Sequence, residues 1–168
     1  MDRKRLTFQS LTGVESDAPD HLDDPELYEA IRIRRMIAYL IDIAALLVLG
    51  GALWLIGGVL GVLTLGLLTP LVGLATVLLP FAYHTWFIGG PGNATLGMKA
   101  LDIRVIAWNG NDPSFVQAAI QTVLFYATLS IGGLLLLASL FSPRGRCLHD
   151  ILCGTIVVNN RREILQPD

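Results

Sequence analysis

Long apolar runs dominate the middle of the chain. Residues 43–98 contain no Asp, Glu, Lys or Arg, whereas a single membrane-spanning helix needs only roughly 20 apolar residues. The run therefore predicts two spanning helices, one from Arg35 to about Gly57 and one from about Thr69 to Ile88. The glycines between these helices predict a short turn: Gly57, Gly58, Gly61 and Gly66.

A third apolar stretch extends from Ser114 to Phe141 and is less regular. Small and polar residues interrupt it at Ser130–Gly133, and Arg144 and Arg146 follow it. Because Arg and Lys favour the cytoplasmic side of a membrane, a single crossing here would place these arginines on the disfavoured side. We therefore expect a broken or re-entrant segment that leaves both ends of the membrane domain in the cytoplasm.

Two short segments on either side of this stretch have the pattern of β-strands. Leu101–Ala107 begins with alternating apolar and polar residues and is rich in β-branched residues. Asn109-Gly110, which follows it, is a strong turn signal. Gly154–Val158 is the natural partner strand, which predicts a short cytoplasmic β-ribbon. Between the strands, Asp112 is predicted to be the N-cap of the third helix.

The predicted fold is thus an all-α membrane protein with two clear transmembrane helices, a third broken or re-entrant apolar segment and the β-ribbon. Charged residues make up 15% of the chain, below the roughly 25% of soluble domains. Eight of the 14 acidic residues lie in residues 1–30, which we expect to be a disordered cytoplasmic tail. Residues 31–158 are then the membrane domain, and residues 159–168 are a short polar tail.

Asp42 is the clearest candidate for chemistry because it lies at the edge of the uncharged run. A carboxylate in an apolar helix is costly unless it is paired, protonated or facing water. Arg35 lies on the same helix face, but helical side chains lean toward the N-terminus, which predicts that Arg35 reaches away from Asp42 toward lipid headgroups. Two interpretations of Asp42 stay open: a structural anchor held by an arginine or backbone amides of the C-terminal segment, or a cation or proton site.

His84 is the only titratable group deep in the uncharged run. It is either an interfacial histidine or a proton-relay partner of Asp42. Its neighbour Tyr83 is predicted to belong to an aromatic belt at the membrane interface, together with Trp86 and Phe87.

Asp150 lies in a charged segment at the predicted membrane boundary. It is expected to cap a turn or to pair with Arg146, four residues earlier. Cys147 and Cys153 lack the neighbouring ligands of a zinc site, so we expect neither a metal nor a cofactor.

The motifs of several function classes are absent from the sequence. There is no hydrolase, metalloprotease or Walker motif and no basic stripe for nucleic acid, so we expect neither an enzyme nor a nucleic-acid-binding protein. The expected partners are the lipid bilayer and either further copies of the chain or a larger membrane complex. A small transporter, most concretely one for cation–proton exchange, is the first hypothesis. A non-transporting accessory or scaffold subunit is the alternative.

Three segments, in order along the chain, resemble the motifs of the RDD domain family of bacterial membrane proteins: Arg35–Asp42, Thr95–Ile106 and Arg146–Val158. The resemblance implies that Arg35, Asp42 and Asp150 are the arginine and the two aspartates that give the family its name. It also implies a multi-pass inner-membrane protein and transport of unidentified ligands; some relatives are regarded as sodium–proton antiporters. Arg32, Arg34 and Arg35 precede the first helix, and these arginines predict a cytoplasmic N-terminus. Many members carry an arginine near the position of Gln121, and this chain departs from them there.

Overall fold

The computed structural model describes residues 22–130 and 147–160, and its two longest helices form a hairpin. Helix α1 spans Ile31–Leu63 and helix α2 spans Thr69–Gly89. Both are long and apolar enough to cross a membrane. Many of their apolar side chains are exposed, for example Leu47 at 72% and Leu55 at 73%, which fits helices that face lipid better than core helices of a soluble protein.

Helix α1 is longer than predicted, because glycines expected to form the turn lie inside the helix. Gly57 faces α2, where a Cβ atom would come within 3.1 Å of the Val72 Cβ. The turn itself contains Leu65 and Gly66, which have φ angles of 51° and 88°. The Gly66 N–H donates to the Gly61 carbonyl at 2.7 Å and closes the helix end. The observed bounds of α2 agree with the predicted ones to within one residue.

The remaining elements are short. They are a 3-10 helix at Pro25–Tyr28, α3 at Leu96–Ala100, β1 at Ile103–Ala107, α4 at Phe115–Ser130, α5 at Leu148–Cys153 and β2 at Thr155–Asn159.

Helix α4 covers the first half of the third apolar stretch. The predicted N-cap at Asp112 is wrong by two residues: Ser114 Oγ accepts the Gln117 N–H at 3.1 Å and caps the helix. The second half of the stretch lies among residues 131–146, outside the described residues, and the predicted break or re-entrant turn lies there with it.

The predicted pairing of the two strands is confirmed. β1 and β2 are antiparallel, with Ile103 opposite Asn159 and Ala107 opposite Thr155. A two-stranded ribbon alone is marginal in water. Here every residue of β2 is buried, and the ribbon forms one hydrophobic core with the N-terminal end of α1 and the 3-10 helix.

Residues 22–30 belong to this core, which differs from the tail predicted for residues 1–30. Leu22 and Leu27 are fully buried. The Asn159 side-chain amide donates to the carbonyls of Glu26 and Glu29 at 3.0 and 3.2 Å, which ties the segment to β2. The other residues of the predicted tail, 1–21, lie outside the described residues.

The close approach of α1 and α2 at Gly57 generates a testable prediction. In Gly57→Ala the new methyl group would clash with the β-branched Val72 side chain. Overpacking of this kind costs about 1–3 kcal/mol. We expect a lower midpoint of thermal unfolding for the purified protein in detergent.

Gly58→Ala is the matched control, since nothing lies within 4 Å of a Cβ atom at Gly58. Alanine also has the higher helix propensity, so this variant should unfold at or above the wild-type temperature. Equal destabilisation of both variants would show that helix packing is not the cause.

Candidate functional site

Asp42 is buried in the first spanning helix and accepts three hydrogen bonds. Asp42 is 2% exposed. Oδ1 accepts from the Tyr83 hydroxyl at 2.7 Å and from the Gly97 N–H at 2.9 Å, and Oδ2 accepts from the Thr95 hydroxyl at 2.6 Å. All three donors are neutral, so hydrogen bonding, not a counter-charge, holds the carboxylate among the described residues.

The local backbone around α3 explains how these donors converge. Thr95 is the N-cap of α3, and its Oγ1 accepts the Met98 N–H at 3.2 Å while donating to Asp42. Gly97 packs directly on α1, where a Cβ atom would overlap the Ala38 carbonyl oxygen. Only glycine therefore allows the N-terminal end of α3 to come this close to Asp42.

These partners correct two expectations. Asp42 was expected to use an arginine or amides of the C-terminal segment if it were an anchor, whereas its partners come from the end of α2 and from α3. Tyr83 was expected in an aromatic belt at the interface. It is 5% exposed and bonds to Asp42, whereas Trp86 is exposed as a belt residue would be.

His84 lies beside this cluster without bonding to Asp42. Its Nδ1 lies 3.0 Å from the Pro80 carbonyl oxygen and 3.1 Å from the Tyr126 hydroxyl on α4. Its ring contacts the Tyr83 ring with centroids 5.2 Å apart. The imidazole therefore links α2 to α4, and Tyr83 lies between it and Asp42.

A buried ion pair forms a second centre one to two turns earlier on α1. Arg35 Nη1 donates to Asp150 Oδ2 at 2.6 Å, and Asp150 is fully buried. The expectation that Arg35 faces lipid headgroups is therefore wrong. The expected partner Arg146 lies outside the described residues, and within them the cationic partner of Asp150 is Arg35, which fixes α5 against α1.

Asp150 also receives neutral donors. The Cys147 N–H donates to Oδ2 at 3.0 Å, and the Gln121 side-chain amide donates to Oδ1 at 3.2 Å. In the sequence, Gln121 is distinguished only by its departure from the arginine that many family members carry near this position. The structure places it at Asp150, so a neutral amide lies beside the ion pair and Arg35 is the one full positive charge described there.

These surroundings set the charge states of the second centre. Burial by itself would raise the pKa of the Asp150 carboxyl, but Arg35, His149 and the Cys147 N–H together bring it below the ordinary value. Burial lowers the pKa of the His149 imidazole; Asp150 opposes this effect and Arg35 adds to it. The neighbouring Arg35 guanidinium therefore favours the charged form of the Asp150 carboxyl.

A thiol, an imidazole and a carboxylate meet in the same place, although the sequence predicts no metal site. One potential ligand atom from each of Cys147, His149 and Asp150 lies within 4.8 Å of the others, and all three residues are buried. The three residues come together because they lie within four positions of one another at the start of α5. The spacing rules for zinc fingers do not include this pattern.

A comparison with protein families matches residues 30–154 to the RDD family. The match covers most of the chain and includes Arg35, Asp42 and Asp150. No curated protein and no solved structure matches the chain.

The buried ion pair yields a prediction for stability. Arg35→Met leaves the Asp150 carboxylate without its cation, and removal of one partner of a buried pair costs about 3–5 kcal/mol. Because the Arg35 side chain is 17% exposed, we expect a loss toward the lower end of this range, measured as reduced thermal stability in detergent.

Arg34→Met is the control, since Arg34 makes one hydrogen bond to the Leu101 carbonyl, whose loss costs about 1.5 kcal/mol and leaves no buried charge without a partner. The double variant Arg35→Met, Asp150→Asn should lose less than the sum of the two single variants. Strictly additive losses would contradict the ion pair.

Proposed function

Because the chain belongs to the RDD family, we propose that it is a small membrane transporter that exchanges a cation for a proton at Asp42. The observation that carries the proposal is a buried carboxylate on a spanning helix with three neutral donors and no cationic partner among residues 22–130 and 147–160. Ionisable residues inside membrane segments typically mark ion or proton pathways.

The chemistry around Asp42 suits a small hard cation. The Thr95 and Tyr83 hydroxyl oxygens lie 2.6 and 2.7 Å from the carboxylate, and a hydroxyl that turns its hydrogen away offers a lone pair. Two hydroxyl oxygens and a carboxylate are oxygen ligands, which hard cations prefer. Proton and cation then compete for one carboxylate, which is the basis of exchange.

His84 is the proposed proton relay. It contacts the ring of Tyr83, whose hydroxyl bonds to Asp42, and its Nδ1 contacts the Tyr126 hydroxyl. A proton that moves between His84 and Asp42 would pass by a water molecule or by rotation of the Tyr83 hydroxyl. Arg35 and Asp150 then hold the cytoplasmic mouth in place.

We place the protein in the bacterial inner membrane with a cytoplasmic N-terminus. Basic residues gather at the end of the hairpin that carries the ribbon, which supports this side as cytoplasmic: Arg32, Arg34, Arg35, Lys99 and Arg104. β1 and β2 pair, so the chain between them returns to the side from which it left.

The two candidate spans found among residues 22–130 and 147–160 cannot enclose an aqueous path by themselves, so we expect transport to require further copies of the chain or a larger complex. Gly51 and Gly58 on α1 have nothing within 4 Å of a Cβ position, which leaves room for close packing of another helix.

The accessory or scaffold role is supported by a different observation. Asp42 holds α3 and Arg35 holds α5, so these signature residues are already engaged in fixing the ribbon end of the hairpin to α1. Under this alternative they act only as structural anchors.

Asp42→Asn separates the two roles. Its amide oxygen can accept from Tyr83 and Gly97, and its amide nitrogen can donate to Thr95 Oγ1, so the variant keeps the hydrogen-bond frame and loses only the charge. In proteoliposomes driven by sodium, lithium or potassium gradients, we expect wild-type proton flux and at least a tenfold loss in Asp42→Asn, roughly the effect of one essential group.

Asp42→Ala is the comparison, because it removes the frame and should unfold at a lower temperature. A stable Asp42→Asn with unchanged flux would reject the ion site. No flux in either the wild type or the variant would favour the accessory role.

The topology has its own test. In a background with Cys147→Ser and Cys153→Ser, we expect Asn160→Cys and Leu65→Cys to react with an impermeant thiol reagent from opposite sides of the membrane. Both positions are exposed, whereas Asn159 is buried and would label poorly. Labelling of Asn160→Cys from outside would contradict the re-entrant topology.

A further inference from the structure

We propose that Cys147, His149 and Asp150 form a site for a borderline divalent metal ion such as Zn²⁺. The site is separate from the carboxylate of Asp42, because its residues lie on and before α5 and make no hydrogen bond to Asp42 among the described residues.

The spacing between the imidazole and the carboxylate supports coordination. His149 Nε2 lies 3.4 Å from Asp150 Oδ1. This separation is longer than the roughly 2.7–3.2 Å of an ordinary N–H···O hydrogen bond. It matches the distance of about 3.4 Å between neighbouring ligand atoms in a tetrahedral site with bonds of about 2.1 Å. The Cys147 sulfur lies within 4.8 Å of one ring nitrogen of His149 and of one carboxylate oxygen of Asp150.

The two carboxylate oxygens of Asp150 have different partners, as expected for a carboxylate that binds a metal through one oxygen. Oδ2 receives Arg35 and the Cys147 N–H, whereas Oδ1 faces His149 and Gln121. A metal at Oδ1 would leave the Arg35 ion pair intact at Oδ2. Arg35 would then hold the carboxylate in place through Oδ2 without touching the metal, and would offset part of the negative charge of a thiolate and a carboxylate.

An unpartnered polar atom beside Asp150 provides a second, independent observation. Gln121 Oε1 is buried and has no hydrogen-bond partner within the part of the chain that the structure describes. The Gln121 amide already contacts Asp150 Oδ1, so its oxygen is a candidate for the fourth ligand position. Buried polar atoms without partners are uncommon and call for an ion or a water.

The combination of ligands indicates the class of metal. Thiolate and imidazole ligands favour Zn²⁺ and related d-block ions over Mg²⁺ and Ca²⁺, which prefer oxygen alone. The Asp150 N–H already donates to Cys147 Sγ in a capping box, and such a donor stabilises a thiolate.

The test uses the full chain, purified without an affinity tag from cells grown in medium supplemented with Co²⁺ or Zn²⁺, so that metal can enter before Cys147 is buried. We expect one metal ion per chain. The cobalt form should show thiolate-to-cobalt charge-transfer absorption, which reports a metal–sulfur bond directly.

The two cysteines of the chain provide matched variants. Cys147→Ser should lose the absorption and should weaken zinc affinity, measured by competition with a chromophoric chelator. The loss should exceed the roughly 10–100-fold that follows when a residue hydrogen-bonded to a metal ligand is removed. Serine is a preferred N-cap, so this variant keeps the cap of α5 and should fold. Cys153→Ser should keep both the absorption and the affinity.

Three outcomes would overturn the site: no metal bound in the folded wild type, absorption that persists in Cys147→Ser, or absorption lost in Cys153→Ser. Equal thermal stability of the two serine variants without metal would confirm that a loss in Cys147→Ser is a loss of coordination and not of folding.

Discussion

A buried carboxylate in an apolar helix must be satisfied from its surroundings, and the way Asp42 meets this requirement organises the rest of the molecule. Its donors lie on α2 and α3, so they fix the ribbon end of the hairpin. Helix α3 leads into β1, β1 pairs with β2, and β2 follows α5, which returns to α1 through Arg35 and Asp150. This series of contacts therefore starts at Asp42 and ends at Arg35, both on α1.

The two connections differ in physical character. Asp42 is held by neutral donors of fixed geometry, including a backbone N–H that only a glycine can bring so close. Asp150 is held by a full positive charge in a buried environment. Buried ion pairs add little net stability over apolar packing, but they strongly disfavour arrangements in which one charge lacks its partner. The Arg35 pair is thus better suited to selecting one position of α5 than to stabilising it.

The sequence predicts the local features of the fold well and the long-range contacts poorly. Apolar length gives both hairpin helices, and β-branched residues with an Asn-Gly turn give the ribbon and its pairing. The predicted length of α1 was wrong because a glycine such as Gly57 allows either a turn or close helix packing. Contact with the partner helix decides between the two. Family membership was predictable from three motifs and is confirmed.

The same limit applies to the candidate site. The sequence identifies Asp42, Arg35 and Asp150 as important, but it does not predict the contact between Arg35 and Asp150 or the donors to Asp42. As an anchor, Asp42 was expected to contact the C-terminal segment, which pairs instead with Arg35. Tyr83, Thr95 and Gly97 are distant from Asp42 along the chain, and their convergence depends on how the hairpin closes. A buried Asp with a downstream Thr-x-Gly is the signal that could have been used.

The pairing of β1 with β2 has a consequence for biosynthesis. The ribosome makes β1 well before β2, since α4, the residues after it and α5 separate the two strands. During this interval the hairpin can already enter the membrane, while β1 has unpaired backbone groups and Arg35 lacks Asp150. Non-local contacts of this kind slow folding. Synthesis of residues 148–159 is therefore the step that closes the ribbon end, and a ribosome that stalls before it leaves an inserted hairpin with an exposed strand edge.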